Sequence, residues 1–546
     1  MRALFTGLVL VLCLGCQTTP PPDYRELTER IRNGDPVTVA DLRTQFLARA
    51  DLPEQLEHLS ELEGQALELV EDEPLKLGSI GSAILDTYYA SLTGHYVLSI
   101  FYQHVESPEA AAPHQQWLQR IRDYMQQEGD GSRSKPYPTM TSVEAQMYVI
   151  SQDMAPVGSI YQSSEEVPFS LLIQAKPVDE PIVGLNFNLS SVYQAERMDF
   201  ASTDANFSPF SLIGMLAKRN DTAAQAAIGA FLASQGRVDD AIDWLRASSR
   251  RGNLLANSIL ARIYWEQASN TDDPAAKEAA LEEVMENYLH AIALGSTDAM
   301  YALAILYLNE HYGKENQASG VTLLKQAAQL NSAEAATFLA QLYYAGQIVE
   351  RNLDTARSYY VQAAELDNAF AIRSYARFLL DPDSAQAPDP RAAQWLEELA
   401  KQTDDAEAML LLGNLYARGV GVKQSSRQAV SSYKDAVKTA PGNASIVNEV
   451  AWTLTVSDIE DLRRERYALK IMSRMMSNDD IARRRPEYLD TWAAANAANG
   501  DFTRAVTLQE EALAVAKAQE NDAVLDVLEE HLNVFKEQQT ISERAP

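Results

Sequence analysis

Eight basic side chains crowd one stretch of an otherwise acidic chain: Arg463, Arg464, Arg466, Lys470, Arg474, Arg483, Arg484 and Arg485, with only Glu465, Asp479 and Asp480 among them. Guanidinium groups bind carboxylates and phosphates through paired, charge-assisted hydrogen bonds. Such a cluster therefore suits an anionic partner, for example an acidic protein surface, a polysaccharide or lipopolysaccharide phosphates. The whole chain carries a formal net charge of -30, which offers many internal partners. A solvated face or internal pairing is the first reading of the cluster, and docking is the alternative.

Histidine and carboxylate chemistry is less promising. The seven histidines stand at positions 58, 95, 104, 114, 290, 311 and 531. His95 and His104 are nine residues apart, half a revolution round a helix at about 100° per residue, so they cannot share a metal on one helix. HExxH, calcium-loop, G-x-S-x-G, P-loop and dinucleotide patterns are all missing from the sequence, and past the export segment, which holds both cysteines, there is no CxxC. Carboxylates are so numerous that any pair could be named acid and base, which gives no pair weight. No catalytic residue, metal or cofactor is expected.

The remaining reactive side chain is Cys16. Arg2, an apolar run from Ala3 to Leu14 and the small residue Gly15 lead into it, which is the pattern of a secretion signal ending at a cysteine. The run of twelve residues is too short to span a bilayer as a helix. Leu12-Cys13-Leu14-Gly15-Cys16 resembles the lipobox of a bacterial lipoprotein, with Cys13 standing where an aliphatic residue is usual, and Gln17 to Pro22 resembles the tether that follows it. The resemblance implies a diacylglyceryl thioether on Cys16 and, after cleavage behind Gly15, an acyl chain on its new amino group. Two or more acyl chains hold a protein stably on a membrane, at about 0.8 kcal/mol per buried CH₂. Gln17 is not the aspartate that retains such proteins in the inner membrane, so the family's sorting rule implies the outer membrane, periplasmic face.

Composition narrows the partners. A chain of 546 residues exceeds what one core supports, so several domains or a repeat array are expected. Its acidity argues against nucleic acid and against anionic lipid surfaces as general partners. Both cysteines, Cys13 and Cys16, lie in the export segment, which leaves none for an intrachain disulfide.

Pattern divides the chain as follows: a signal over 1–15, a lipidated tether over 16–23, an N-terminal helical segment over 24–128, a small α+β module over 139–206, a repeat region over 210–520, and a C-terminal helix and tail over 521–546. Leu85, Tyr88, Tyr89, Leu92 and Tyr96 recur at helical spacing and predict one helix face. Leu56, Leu59 and Leu62 alternate with glutamates between Glu54 and Glu73, which predicts an amphipathic helix with its acids in water. Val167 to Ile173, Ile182 to Leu189 and Gly158 to Tyr161 predict three strands; in the second, Leu185, Phe187 and Leu189 should pack while Asn186 and Asn188 face solvent. This module either offers an edge strand to a partner or caps the repeats.

The repeats announce themselves by offset. Ala299, Leu303, Ala304 and Tyr307 return as Ala335, Leu339, Ala340 and Tyr343, then as Ala371, Tyr375 and Ala376, then as Ala408, Leu412, Gly413 and Tyr416. The pairs Ala356/Ala363, Ala393/Ala400 and Ala429/Ala436 mark the second helix of each unit. A period in the thirties built of two amphipathic helices is the mark of an α-solenoid, so the fold class is mainly α with a small α+β module in the N-terminal half. Recurrent Tyr264, Tyr307, Tyr343, Tyr416, Trp244 and Trp395 are read as inter-helix core, not as stacking platforms.

The unit Ala408-x-x-x-Leu412-Gly413-x-x-Tyr416-x-x-Gly419-x-Gly421-Val422, closing with Tyr433 and Ala436, resembles a SEL-one-like repeat. Ala335 to Ala364 fits through Gly346, Val349, Tyr359, Tyr360, Ala363 and Ala364; Ile348 replaces the second loop glycine, and Ser425 sits where aspartate is usual. Asp221 to Gly252 and Pro486 to Leu513 resemble tetratricopeptide repeats. The resemblance implies a lipid-anchored scaffold or adaptor that binds protein partners of an envelope assembly or export machine, with no small-molecule substrate. The alternative is an envelope enzyme such as a cell-wall hydrolase, or a ligand sensor, with its site in residues 78–206. A deep pocket with convergent polar groups between Val157 and Tyr193 would favour that alternative.

Overall fold

The computed structural model describes residues 23–178, 180–200, 207–309, 314–384 and 387–543. Cys16, the signal and most of the tether lie outside the described residues, as do His311 and the end of the α+β module. The chain divides into two compact units, residues 1–299 and 300–546.

The N-terminal unit opens with six helices: α1 (Tyr24–Arg32), α2 (Val39–Leu47), α3 (Leu52–Leu69), α4 (Leu77–Thr87), α5 (Leu92–His104) and α6 (Pro108–Glu128). Short polar residues start them. The side chains of Asp23, Thr38 and Ser91 each accept a backbone N–H of the first turn of α1, α2 and α5. The expected single face from Leu85 to Tyr96 is divided, because α4 stops at Thr87 and Tyr88 is extended (φ -137°, ψ 103°) before Ser91 caps α5. Tyr88 instead turns into the core, with its ring centroid 4.6 Å from that of Phe46.

A four-stranded sheet follows, built from β1 (Tyr137–Pro138), β2 (Met154–Gln162), β3 (Ser170–Pro177) and β4 (Val183–Asn188) in the order β1-β4-β3-β2, with α7 (Ser142–Ile150) between β1 and β2. β1 pairs parallel to β4, and the other pairs are antiparallel. Central β3 buries Leu171, Ile173 and Ala175 completely. One expectation fails in β4. Asn186 is buried and donates its amide to the Gly131 carbonyl at 3.1 Å, because the loop after α6 covers that face. Asn188 is half-buried and accepts the Ser190 N–H at the start of α8 (Ser190–Phe200).

The unit ends with α9 (Pro209–Lys218) and two helical hairpins, α10 (Thr222–Ser234) with α11 (Val238–Ser249) and α12 (Leu254–Ser269) with α13 (Pro274–Ala293). These hairpins cover the outer edge of β2. Asn253, which caps α12, accepts the Ser159 N–H at 3.0 Å and donates to the Ser159 carbonyl at 2.7 Å. A side-chain amide thus replaces the missing strand partner, and β2 caps the hairpins in place of offering an edge.

The second unit contains six further hairpins: α14 (Thr297–Leu308) with α15 (Lys314–Gln329), α16 (Ala333–Ala345) with α17 (Leu353–Ala364), α18 (Ala369–Leu380) with α19 (Pro390–Thr403), α20 (Ala406–Arg418) with α21 (Ser426–Thr439), α22 (Ala444–Val456) with α23 (Glu465–Asn478), and α24 (Pro486–Ala498) with α25 (Phe502–Ala518). A last helix, α26 (Leu525–Lys536), packs on α25. The period is carried by caps. Ser332, Asn368, Asp405 and Asn443 each accept the N–H three residues on, starting α16, α18, α20 and α22. Ala335, Ala371 and Ala408 are fully buried at equivalent positions, which lets paired backbones approach closely. Gly419 ends α20 in the left-handed conformation (φ 73°), a role glycine fills without Cβ strain. The loop behind it closes when the Ser425 N–H bonds the Tyr416 carbonyl at 2.9 Å, and Asn352 closes on Tyr343 identically.

Candidate interaction surfaces

The first helices of successive hairpins α18, α20 and α22 share an open groove of ≈ 360 Å³, lined by Arg377, Asp381, Glu407, Asn414, Arg418 and Glu449 over a floor of Leu380, Leu410 and Leu411. Its charges are held in place. Arg373 binds Asp405 and Arg377 binds Glu407 from one hairpin to the next. Tyr433 donates to Asn414 Oδ1 at 2.7 Å, which leaves the Asn414 amide to reach Glu449 at 3.2 Å. Alternating fixed cations and acids over an apolar floor suit an extended chain segment, with side chains for specificity and a peptide backbone to satisfy.

The recurrent aromatics differ in burial: Trp244, Tyr307, Tyr343 and Trp395 are half-buried. Tyr264 and Tyr416 are buried, and Tyr343 stacks on Tyr359 at 6.0 Å.

The basic cluster falls into two groups. Arg466, Lys470 and Arg474 stand four residues apart on α23, all exposed, while Ala468, Ile471, Met472, Met475 and Met476 bury the opposite face. Among the described residues these three side chains make no ion pair. Their partners in the cluster are engaged locally. Arg463 Nε donates to the Ser457 carbonyl at 2.7 Å, Arg464 to the Asp461 carbonyl at 3.1 Å, Arg483 to the Met476 carbonyl, and Arg485 pairs with Glu487 at 3.3 Å. Arg484 is exposed. Arg464 also joins Arg427 and Lys434 around a cleft of ≈ 770 Å³ whose one acid is Asp461.

Sequence reasoning missed the buried ionisable groups of the N-terminal unit. Glu63, expected in water with the other acids of α3, is fully buried; it accepts from Ser91 Oγ at 2.9 Å and from Thr141 Oγ1. Beside it Glu144 accepts the Met140 N–H at 2.7 Å, the Leu92 N–H at 3.1 Å and Thr139 Oγ1 at 3.0 Å. Burial, then the charge of Glu144, pushes the Glu63 carboxyl up to about 8. The available signal was Thr141-x-x-Glu144, a capping pattern at a helix start.

His95 does not face His104. It meets His114 of α6, Nδ1 to Nδ1 at 3.1 Å, and its Nε2 lies 2.9 Å from the Tyr89 carbonyl. Burial and the His114 neighbour hold it down at about 3, so it is a neutral core residue stacked on Trp117. No group of three metal-ligating side chains exists among the described residues. In the second unit His531 sits 2.9 Å from Asp490. Burial alone would lower this imidazole, but the hydrogen bond and charge of Asp490, with Glu543, raise it on balance.

Between Val157 and Tyr193 the sheet contributes Tyr161, Phe169 and Leu189 to a cavity of ≈ 260 Å³ closed by Leu56, Met140, Leu212 and Met215. Its walls are mainly apolar. Glu54, Glu57 and Arg219 are exposed at its rim, and Arg219 pairs with Glu57 at 3.2 Å.

Residues 297–332, 333–368 and 406–431 match the family model described as Sel1 repeat. The unmatched hairpin α18/α19 lacks the glycine turn, since α18 ends in extended Asp381 and a proline-containing connection. No curated protein matches the chain. Among solved structures, a Sel1 repeat protein from Oxalobacter formigenes is 23% identical over 41% of this chain and 90% of its own, with a TM-score of 0.33. A protective antigen present in uropathogenic Escherichia coli strains and displaying an SLR fold is 15% identical over 96% of this chain and 98% of its own, with a TM-score of 0.42. Yeast Tom70 is 13% identical over 94% of this chain and 95% of its own, with a TM-score of 0.30. The solenoid assignment rests on the repeat matches and on the hairpins themselves. Repeats of this kind generally bind protein partners and are typically non-enzymatic.

Proposed function

Because the chain carries Sel1 repeats, we propose that it is a scaffold or adaptor holding protein partners of an envelope assembly or export machine, tethered by lipid on Cys16 to the periplasmic face of the bacterial outer membrane. The groove across α18, α20 and α22 carries the protein-binding part of this reading, because its side chains are fixed by neighbouring hairpins and face an open channel. The export pattern ending at Cys16 and the tether from Gln17 carry the localisation. No described helix is long and apolar enough to cross a membrane.

Crosslinking in cells followed by pull-down tests the partners. Envelope proteins are expected in the capture, and recovery of cytosolic chains alone overturns the reading. Cys16→Ser should move the protein from the membrane to the soluble fraction; persistent membrane attachment would defeat the lipid tether. The apolar cavity beside the sheet favours a second reading, in which the N-terminal unit senses an apolar ligand while the repeats recruit partners. It holds Tyr161 and Thr141, whose hydroxyls donate to the carboxyl groups of Asp221 and Glu63, and its mainly apolar walls suit an apolar ligand.

A further inference from the structure

The segment after α26 lies in the fold as a ligand would. Gln538 turns the chain (φ 59°), and residues 538–540 are exposed. The strand then pairs with the end of α22: the Glu543 N–H bonds the Val456 carbonyl at 2.7 Å, and the Asp458 N–H bonds the Glu543 carbonyl at 2.7 Å. Ser457 and Glu543 form a parallel β-bridge. Only two side chains anchor it on one side. Ile541 is buried in the repeat core, and the Glu543 carboxylate takes the Trp452 Nε1–H at 3.2 Å with His531 Nε2 at 3.8 Å. On the other side Ser542 accepts from Arg463 at 3.1 Å.

We propose that this segment is an internal occupant of a docking site formed by Trp452, the Val456–Asp458 backbone, Arg463 and His531, and that the site's external ligand is an extended peptide with an apolar residue two positions before a glutamate. The backbone contacts are indifferent to sequence, and the recognition falls on alternate side chains, as in strand addition. Beyond the turn at Gln538 the segment itself is not helical, which leaves it exchangeable while α26 stays packed. Tethering gives it an effective concentration on the order of millimolar, so a partner must compete with it or bind a form that has released it. The inference rests on the repeat stack being protein-binding.

Fluorescence anisotropy with a labelled peptide of residues 537–546 tests it on two full-signal-lacking proteins, one extending through residue 546 and one ending at Gln538. The shortened chain is expected to bind at least about tenfold more tightly, and peptides carrying Ile541→Asp or Glu543→Gln should lose that binding. Trp452→Phe, which keeps a ring and removes the donor, should weaken it. Should shortening unfold the protein, the complete chain with Ile541→Asp and Glu543→Gln opens the same site. Equal binding to open and closed forms, no binding to a folded open form, or indifference to the peptide changes overturns the proposal. If the open form still captures envelope proteins but not the peptide, this inference fails and the scaffold reading stands. If it binds the peptide but captures no envelope protein, the scaffold reading fails and the site remains.

Discussion

In the repeat unit, equivalent positions of successive hairpins do equivalent work: Ala335, Ala371 and Ala408 are all fully buried, and Ser332, Asn368 and Asp405 all cap first helices. In the N-terminal unit each polar group is used once. Glu63 and Glu144 together receive hydrogen bonds from the starts of α5 and α7, and Asn253 and Asp221 each join β2 to one of the first two hairpins. A defect in one repeat is bordered by intact neighbours, so its effect should stay local. A defect in a solitary buried network leaves several groups unpaired together.

Glu144→Ala should have the largest effect. It strands two backbone N–H groups in the core, while the Thr139 hydroxyl keeps the Thr141 carbonyl, at about 3–5 kcal/mol. Hydrogen exchange read peptide by peptide should show protection falling across residues 60–150 and unchanged over 400–440. A loss confined to α7 would break the contrast between the units. Asn253→Ala should follow at about 2–3 kcal/mol, since it removes the partners of both Ser159 backbone groups; its signature is faster exchange in β2 and in α12 alike.

The comparison sharpens with pH. Glu63 titrates at about 8 when folded against roughly 4.3 in an unfolded chain, so the unfolded state releases this proton first and stability falls as pH rises between those values. His95, held at about 3, acts in the opposite sense below roughly 6.5, where the unfolded state gains a proton. Between pH of about 6.5 and 8 the Glu63 slope is not opposed by His95, and Asp221, whose carboxyl burial also pushes up, acts in the same sense. Denaturation midpoints of the N-terminal unit should fall across that window, and Glu63→Gln should flatten the slope; an unchanged slope removes Glu63 as its cause.

Gly413→Ala probes the other side. A Cβ there would stand 2.4 Å from the Tyr433 ring, so ring or backbone must shift, at about 1–3 kcal/mol. Exchange should quicken in α20 and α21 and leave α16 and α17 as they were. Loosening that spreads through the unit would show that repeats are less independent than their geometry implies.

The same division explains what was legible in the sequence. Period, caps and small residues are local and recur, so the hairpins could be read from offsets alone. Glu63 was legible only in part: helical spacing puts it on the stripe of Leu52, Leu56, Leu59 and Ala66, unlike Glu61, but its partners Ser91 and Thr141 lie far along the chain. Asn186 failed likewise, since strand alternation cannot foresee that the Gly131 loop covers the polar face. His95 found His114 only because α5 and α6 pack as neighbours. The segment holding Ile541 and Glu543 carried no pattern, as its backbone partners and most of its side-chain partners lie far back along the chain, at Trp452 to Arg463.

The smallest structural effect is expected where the sequence looked most chemical. Arg466, Lys470 and Arg474 are exposed on α23 and make no ion pair among the described residues, so changing all three to Glu should move stability by no more than about 0.5 kcal/mol each. Their contribution must then appear in binding or nowhere. If the stripe docks an anionic surface, the triple variant should lose captured envelope partners, and the native interaction should weaken steeply with added salt because exposed charges are screened within about 10 Å at 0.1 M. If capture is the same for both proteins at low and high salt, the stripe is only a solvated face, and recognition belongs to the groove of fixed charges across α18, α20 and α22.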